Sequence, residues 1–271
     1  MASGCEEVWT LVTNRRRNGG RTRRTIEQAR QKMETLNQPW TPVDTEIDSQ
    51  GESKLMEKMQ NSMKKVRGSE FYNRFLGQLE SPLLSANFPR VLGSTSKLGM
   101  VVYGIGSIEA SEMSRLQLSL AILLRENLDC IDGMEIFDPI ISSIEVKVME
   151  RFGCSFISIN EMGRREVMKP TLFFMPHCDA FMYDNLLAAN WKPVNLNRIV
   201  LFGNSFEKYE SAITVFRSKV ADALKYVMGI RKYAMEFLIE TCSEDFFYAF
   251  HSISWHFFDL DPLMDLRILD L

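Results

Sequence analysis

Gly104-Ile105-Gly106-Ser107 follows the apolar run "MVVY" and precedes a segment of helical period. Gly-x-Gly in that setting permits a tight turn and a close backbone approach, the means by which such loops cradle phosphate. The dinucleotide fingerprint asks for a third small residue where this chain has Glu109. A carboxylate there complements the positive end of a helix dipole and repels a pyrophosphate at the same place. The residues therefore disfavour NAD and FAD. A phosphate-free ligand, such as a methyl donor of the adenosyl-methionine kind, is less affected. Asp138 closes the next apolar run, "MEIF", and is placed to accept hydrogen bonds from ribose hydroxyls.

Three further apolar runs end in polar groups: Asn160-Glu161, His177-Cys178-Asp179 and Gly203-Asn204-Ser205. His177 has three candidate roles, as a general base, a metal ligand or a partner of a cysteine, with a backbone-bonded turn residue as the plain alternative. Adjacent residues rarely aim at one point, so a zinc site is not expected. "FGNSF" is not the nucleophile elbow G-x-S-x-G, and Asn204 and Ser205 read as caps of the following helix. His251 precedes, and His256 lies within, the aromatic run "ISWHFF", and both read as core histidines with satisfied nitrogens. The candidate ligand-binding set is Gly104, Gly106, Ser107, Asp138, Glu161, His177, Cys178, Asn204 and Ser205; the catalytic residues, if any, and the cofactor are not read from the sequence.

The elements that must position this set alternate. Strands are expected at 100–104, 134–138, 155–159, 171–175 and 198–202, with helices at 109–127, 143–152 and 179–190 between them. Near-continuous apolar strands separated by helical crossovers imply a parallel sheet covered on both faces. A helix over about 209–240 and a last strand at 253–258 complete the chain. The fold class is α/β, a Rossmann-like, doubly wound, mainly parallel sheet, in which ligands gather beyond the carboxyl ends of the strands.

Upstream, residues 1–52 read as a flexible basic leader and linker, 53–97 as a helical lead-in and 98–271 as the α/β domain. Leu55, Met59, Met63 and Val66 share one helical face, and Gly68 breaks the helix. Six arginines fall within 14–24, and residues 1–32 carry a surplus of five positive charges. Such a cluster reads as a nuclear-import address or a solvated tail, with specific nucleic-acid binding a poorer reading. The whole chain of 271 residues has a net charge of −3, which gives no global attraction to nucleic acid or an anionic membrane. Five scattered cysteines without C-x-x-C, and no apolar run of spanning length, point to a reducing interior.

The phrases "VVYGIGSIEASEMSRLQLSLAILL", "FDPI", "NEMGRREVMKPTLFFMPHCDAFMYDNLLAANW" and "RIVLFGNSFEKY" together resemble the Sensitivity to Red Light Reduced family, also called the SRR1-like domain family. The match covers about residues 98–210, and the leader and "MKKVRGSEFYNRFL" resemble the family's plant founder as well. The resemblance implies a regulatory protein of circadian clock input and red-light signalling through phytochrome B. It also implies residence in nucleus and cytoplasm, and signalling or clock proteins as partners. Animal relatives are connected to haem and rhythm regulation, so a tetrapyrrole sensor is one alternative and a methyltransferase-like enzyme another. The family has no settled catalytic residues to carry over. Its members have Asn-Asp near the place of His251-Ser252, a departure that leaves His251 without a role.

Overall fold

A computed structural model describes residues 39–44, 49–216, 224–241 and 244–269. The arginine cluster at 14–24 lies outside the described residues. Seven strands form one sheet: β1 (Leu98–Tyr103), β2 (Ile131–Phe137), β3 (Ser155–Phe156), β4 (Thr171–Met175), β5 (Ile199–Asn204), β6 (Ala234–Leu238) and β7 (Ile253–Phe258). Their spatial order is β3-β2-β1-β4-β5-β7-β6. The first five are parallel, and β7 inserts antiparallel between β5 and β6. The α/β, doubly wound class expected from the alternation is the one observed.

Period-two alternation divides each central strand between two cores. Met100 and Val102 of β1, Leu172 and Phe174 of β4, and Val200 and Phe202 of β5 face one core. Val101 and Tyr103, Phe173 and Met175, and Ile199 and Leu201 face the other. The first core is closed by helices α1 (Ser49–Arg67), α2 (Glu70–Glu80), α3 (Pro82–Ser85), α4 (Asn87–Leu92), α5 (Glu112–Asn127), α6 (Ser143–Arg151) and α11 (Glu244–Phe250). Leu55, Met59, Met63 and Val66 of α1 are all buried, and the apolar burial contributes roughly 2 kcal/mol for each such side chain. Gly68 ends α1, and the Ser69 hydroxyl then accepts from the Tyr72 amide at 3.1 Å to start α2. Phe71 and Phe75 of α2 stack with Phe250 and Trp255, so the lead-in helices share the core of the sheet. The second core is closed by α7 (Ala180–Ala189), α8 (Pro193–Leu196), α9 (Phe206–Phe216) and α10 (Lys225–Ile230).

Four expectations need correction. α1 begins at Ser49, inside the stretch read as linker. α5 starts at Glu112 rather than Glu109, because Ser111 is the residue whose hydroxyl accepts from the Ser114 amide. β3 pairs over two residues only and then leaves the sheet, where Ile159 bridges to Pro39. Within the span expected as helix, "AMEFL" forms β6, since pairing with β7 overrides the helical propensity of Ala, Met, Glu and Leu.

Glu236 fixes this edge strand. Its carboxylate accepts from the Ser254 hydroxyl at 2.8 Å and from the Glu207 amide at 3.2 Å, at the start of α9. The fully buried His256 faces it, with Nε2 3.7 Å from Oε1. Burial favours the neutral acid, but the His256 imidazole and the Ser205 and Ser254 hydroxyls outweigh it and hold the Glu236 pKa at about 2, below its ordinary 4.5. A depressed carboxyl stabilises the fold above its unfolded pKa and loses that contribution on acidification. Stability of the wild type should thus fall as pH drops from 4.5 toward 2, and Glu236→Gln should flatten this slope in urea titrations at stepped pH.

Candidate functional site

The chain runs β1-β2-β3 toward one edge and returns to β4 on the far side of β1. The loops leaving β1 and β4 therefore diverge, which opens a crevice at their carboxyl ends. A cleft of about 260 Å³ lies there, lined among others by Gly104, Asp138, Asn160, Met162, His177 and Asp179. Phe137, Pro139, Ile140, Cys178 and Met182 also line it, and among the described residues no lysine or arginine does.

The glycine loop is held from below. Asp138 is buried; its Oδ2 accepts from the Gly106 amide at 2.7 Å and its Oδ1 from the Ile140 amide at 3.0 Å. Burial raises the Asp138 pKa to about 6, the Ile140 and Gly106 amides working against the rise and Glu145 adding to it. Glu145 is a second buried carboxylate, one that the strand-end reading did not single out. Its Oε1 accepts from the Ser107 hydroxyl at 2.6 Å and the Glu109 amide at 2.9 Å, and its Oε2 from the Ser142 amide at 2.7 Å. The signal that finds it is the capping box Ser142-x-x-Glu145 at the start of α6. Ser107 in turn accepts from the Ala110 amide at 3.1 Å.

These bonds change the reason a pyrophosphate is disfavoured. Residues 108–110 form a turn ahead of α5, so Glu109 is not at a helix terminus and its side chain is exposed. The amides of Gly106, Glu109 and Ala110, which an anion would need, are taken by Asp138, Glu145 and Ser107. Two protein carboxylates stand where such a loop holds phosphate oxygens.

The β4 end is knotted to β5. Asn204 Oδ1 accepts from the His177 amide at 2.8 Å; its Nδ2 donates to the Tyr209 hydroxyl at 2.8 Å and the Cys178 carbonyl at 3.2 Å. Asn204 is thus a cross-brace and not a helix cap, whereas Ser205 does cap α9, accepting from the Lys208 amide at 3.2 Å. The hydroxyl of fully buried Tyr183 donates to the Met175 carbonyl and accepts from the Asn204 amide. Tyr183 leaves no room at Gly203, where a Cβ would come within 2.5 Å of the ring. Cys178 is no partner for His177: its Sγ points at the Tyr103 carbonyl, 3.3 Å away. Burial raises its thiol well above the ordinary range, which removes thiolate chemistry.

Glu161 is drawn away from the cleft lining. It accepts from the Tyr103 hydroxyl and pairs with Arg165 Nε at 3.0 Å, and Arg165 reaches Glu135 at 2.6 Å. His177 is exposed at the cleft, and its ring lies against His251 with centroids 4.6 Å apart. Packing around the ring and the neighbouring His251 lower the His177 pKa to about 4, while the Ala249 backbone pulls the other way. The imidazole is neutral near pH 7. His251 itself is half-buried, its ring also stacked on Phe247, and not the core residue expected.

With the geometry in place, similarity to known proteins is decisive on one point. The SRR1 domain matches residues 77–257. The chain belongs to the SRR1 family. It is 49 % identical over 236 residues to Protein SENSITIVITY TO RED LIGHT REDUCED 1 of Arabidopsis thaliana, covering 86 % of each chain. It is 31 % identical over 225 residues to the SRR1-like protein of Mus musculus, covering 79 % of this chain and 90 % of the mouse protein. Among solved structures, the plantazolicin methyltransferase BpumL in complex with a desmethylPZN analog and SAH is 12 % identical with a TM-score of 0.33. That match covers 79 % of this chain and all of the other.

The central geometric constraint on the loop is Gly104, whose φ is +70° and whose Cβ, if present, would sit 2.5 Å from Cys178 Sγ. Gly104→Ala should lower unfolding free energy by about 2–4 kcal/mol, from backbone strain and overpacking together. Cys178→Ala placed beside it should recover the packing part, as read from chemical denaturation of the two variants.

Proposed function

We propose that this protein is a regulator of red-light signalling whose state is set by a small, phosphate-free molecule in the β1–β4 cleft. The light-signalling part is supported by the 49 % identical plant relative, named for reduced sensitivity to red light. The family resemblance extends the reading to circadian clock input and phytochrome B signalling, in nucleus and cytoplasm, with signalling or clock proteins as partners. Within this reading the arginines at 14–24 serve nuclear import. No helix among the described residues is long and apolar enough to cross a membrane.

One observation supports the ligand class: the loop amides are filled by Asp138 and Glu145, while Asp138 and Asp179 face a cleft that, among the described residues, no lysine or arginine lines. That electrostatic setting favours a cationic or uncharged hydrogen-bond donor and opposes phosphates. A tetrapyrrole fits less well, since its carboxylates would meet those of the cleft. The same acidity suits a sulfonium methyl donor, which keeps methyl transfer as the second reading.

Asp179 tests the proposal at small structural cost: it is exposed, and although it stands at the N-cap of α7 its side chain makes no capping hydrogen bond, so a charge reversal there costs about 1 kcal/mol. Asp179→Lys puts a cation into the cleft. In an Arabidopsis thaliana line lacking the relative, the wild-type chain should restore the red-light growth response and the amplitude of rhythmic transcripts. Asp179→Lys, folded and at equal abundance, should restore neither, whereas the neutral control Asp179→Asn should restore both. Full rescue by Asp179→Lys would refute the role of the cleft, and no rescue by the wild type would refute the light-signalling role.

A further inference from the structure

Among the described non-glycine residues, a left-handed backbone occurs at Met162 (φ 51°), His177 (φ 57°) and Ser252 (φ 56°). Met162 and His177 both line the cleft, and Ser252 follows His251, whose ring lies on that of His177. Glycine or asparagine takes this conformation at little cost, whereas a bulky side chain is strained there by about 1–3 kcal/mol. Both backbones are pinned by side-chain amides. Asn204 accepts from the His177 amide, Asn160 from the Met162 amide at 3.0 Å, and Asn185 donates to the Met162 carbonyl at 2.8 Å. The turns thus impose the geometry, and two large side chains are kept where glycine would relieve it.

The rings show what those side chains present. Phe247 and His251 are stacked at 5.1 Å and 19°, and His251 and His177 follow at 4.6 Å and 33°. This short stack runs from the half-open α11 surface to the cleft and ends on His177. A neutral imidazole at the end of a stack is a surface for another flat ring. Met162 brings a polarizable thioether to the same space, which suits a ring edge or face.

Resting on the reading of the cleft as a site for a phosphate-free ligand, we infer that His177 and Met162 form a slot that grips a flat heteroaromatic group, with His177 continuing the Phe247–His251 stack onto the ligand. The ligand class is then a nucleoside-like molecule: a planar base, hydrogen-bond-donating hydroxyls and no phosphate.

The test uses the full chain, two glycine variants and two probes followed by calorimetry: adenosine, which is flat and uncharged, and 1,4-diaminobutane, a ring-free dication. His177→Gly and Met162→Gly relieve the left-handed strain, so each should melt no lower than wild type. Each should bind adenosine about tenfold more weakly, as expected for one lost stacking partner, with diaminobutane unaffected. If wild type binds neither probe, the cleft reading falls and this inference with it. If wild type binds diaminobutane but not adenosine, the slot alone is refuted. Equal adenosine affinity in wild type and variants, or an equal loss for both probes, refutes it likewise.

Discussion

A buried carboxylate hydrogen-bonded to two backbone amides is the constraint on which this site depends. Asp138 joins the loop leaving β1, through Gly106, to the loop leaving β2, through Ile140. Glu145 repeats the arrangement, binding Ser107, the Glu109 amide and the Ser142 amide. A buried charge without such donors is costly, and amides without such acceptors are costly too. Each group therefore stabilises the other, and together they hold the loop's shape.

On the other side of the cleft the same logic uses neutral groups. Asn204 spans from β5 to the His177 turn, and Tyr183 links β4 to β5 from below. Most of the polar residues at the strand ends thus spend their hydrogen bonds on one another. What remains turned toward the space between is acidic, thioether-bearing and aromatic. The loop amides that could meet an anion are instead bonded to the protein's own Asp138, Glu145 and Ser107.

Much of this was legible in the sequence, and the misses have physical causes. "TLFFM" and "ISWHFF" delimit β4 and β7 to the residue, because dense apolar and aromatic runs bounded by polar residues leave little choice. Residues 234–238 lack that density, and only the partner strand makes them β6. Asp138 was visible as a strand-end acid, but its bond to Gly106, 32 positions earlier, is a tertiary fact. Glu145 was visible only as a capping-box residue, since its second role needs the β1 loop to arrive beside it. His177 and His251 lie far apart in the chain, and nothing local predicts that their rings touch. Glu109 sits in a turn for a tertiary reason: three turn residues, 108–110, separate the glycine loop from α5, and local sequence does not reveal them.

The claim that the protein's own carboxylates occupy the anion-binding amides is tested most directly at those amides. Titrating isotope-labelled protein with pyrophosphate, while following the Gly106 and Glu109 amide resonances by nuclear magnetic resonance at pH 7.5, reads their occupancy. The account predicts no saturable shift at either amide at millimolar pyrophosphate. A saturable shift confined to these two amides, showing that pyrophosphate displaces Asp138 and Glu145, would contradict it.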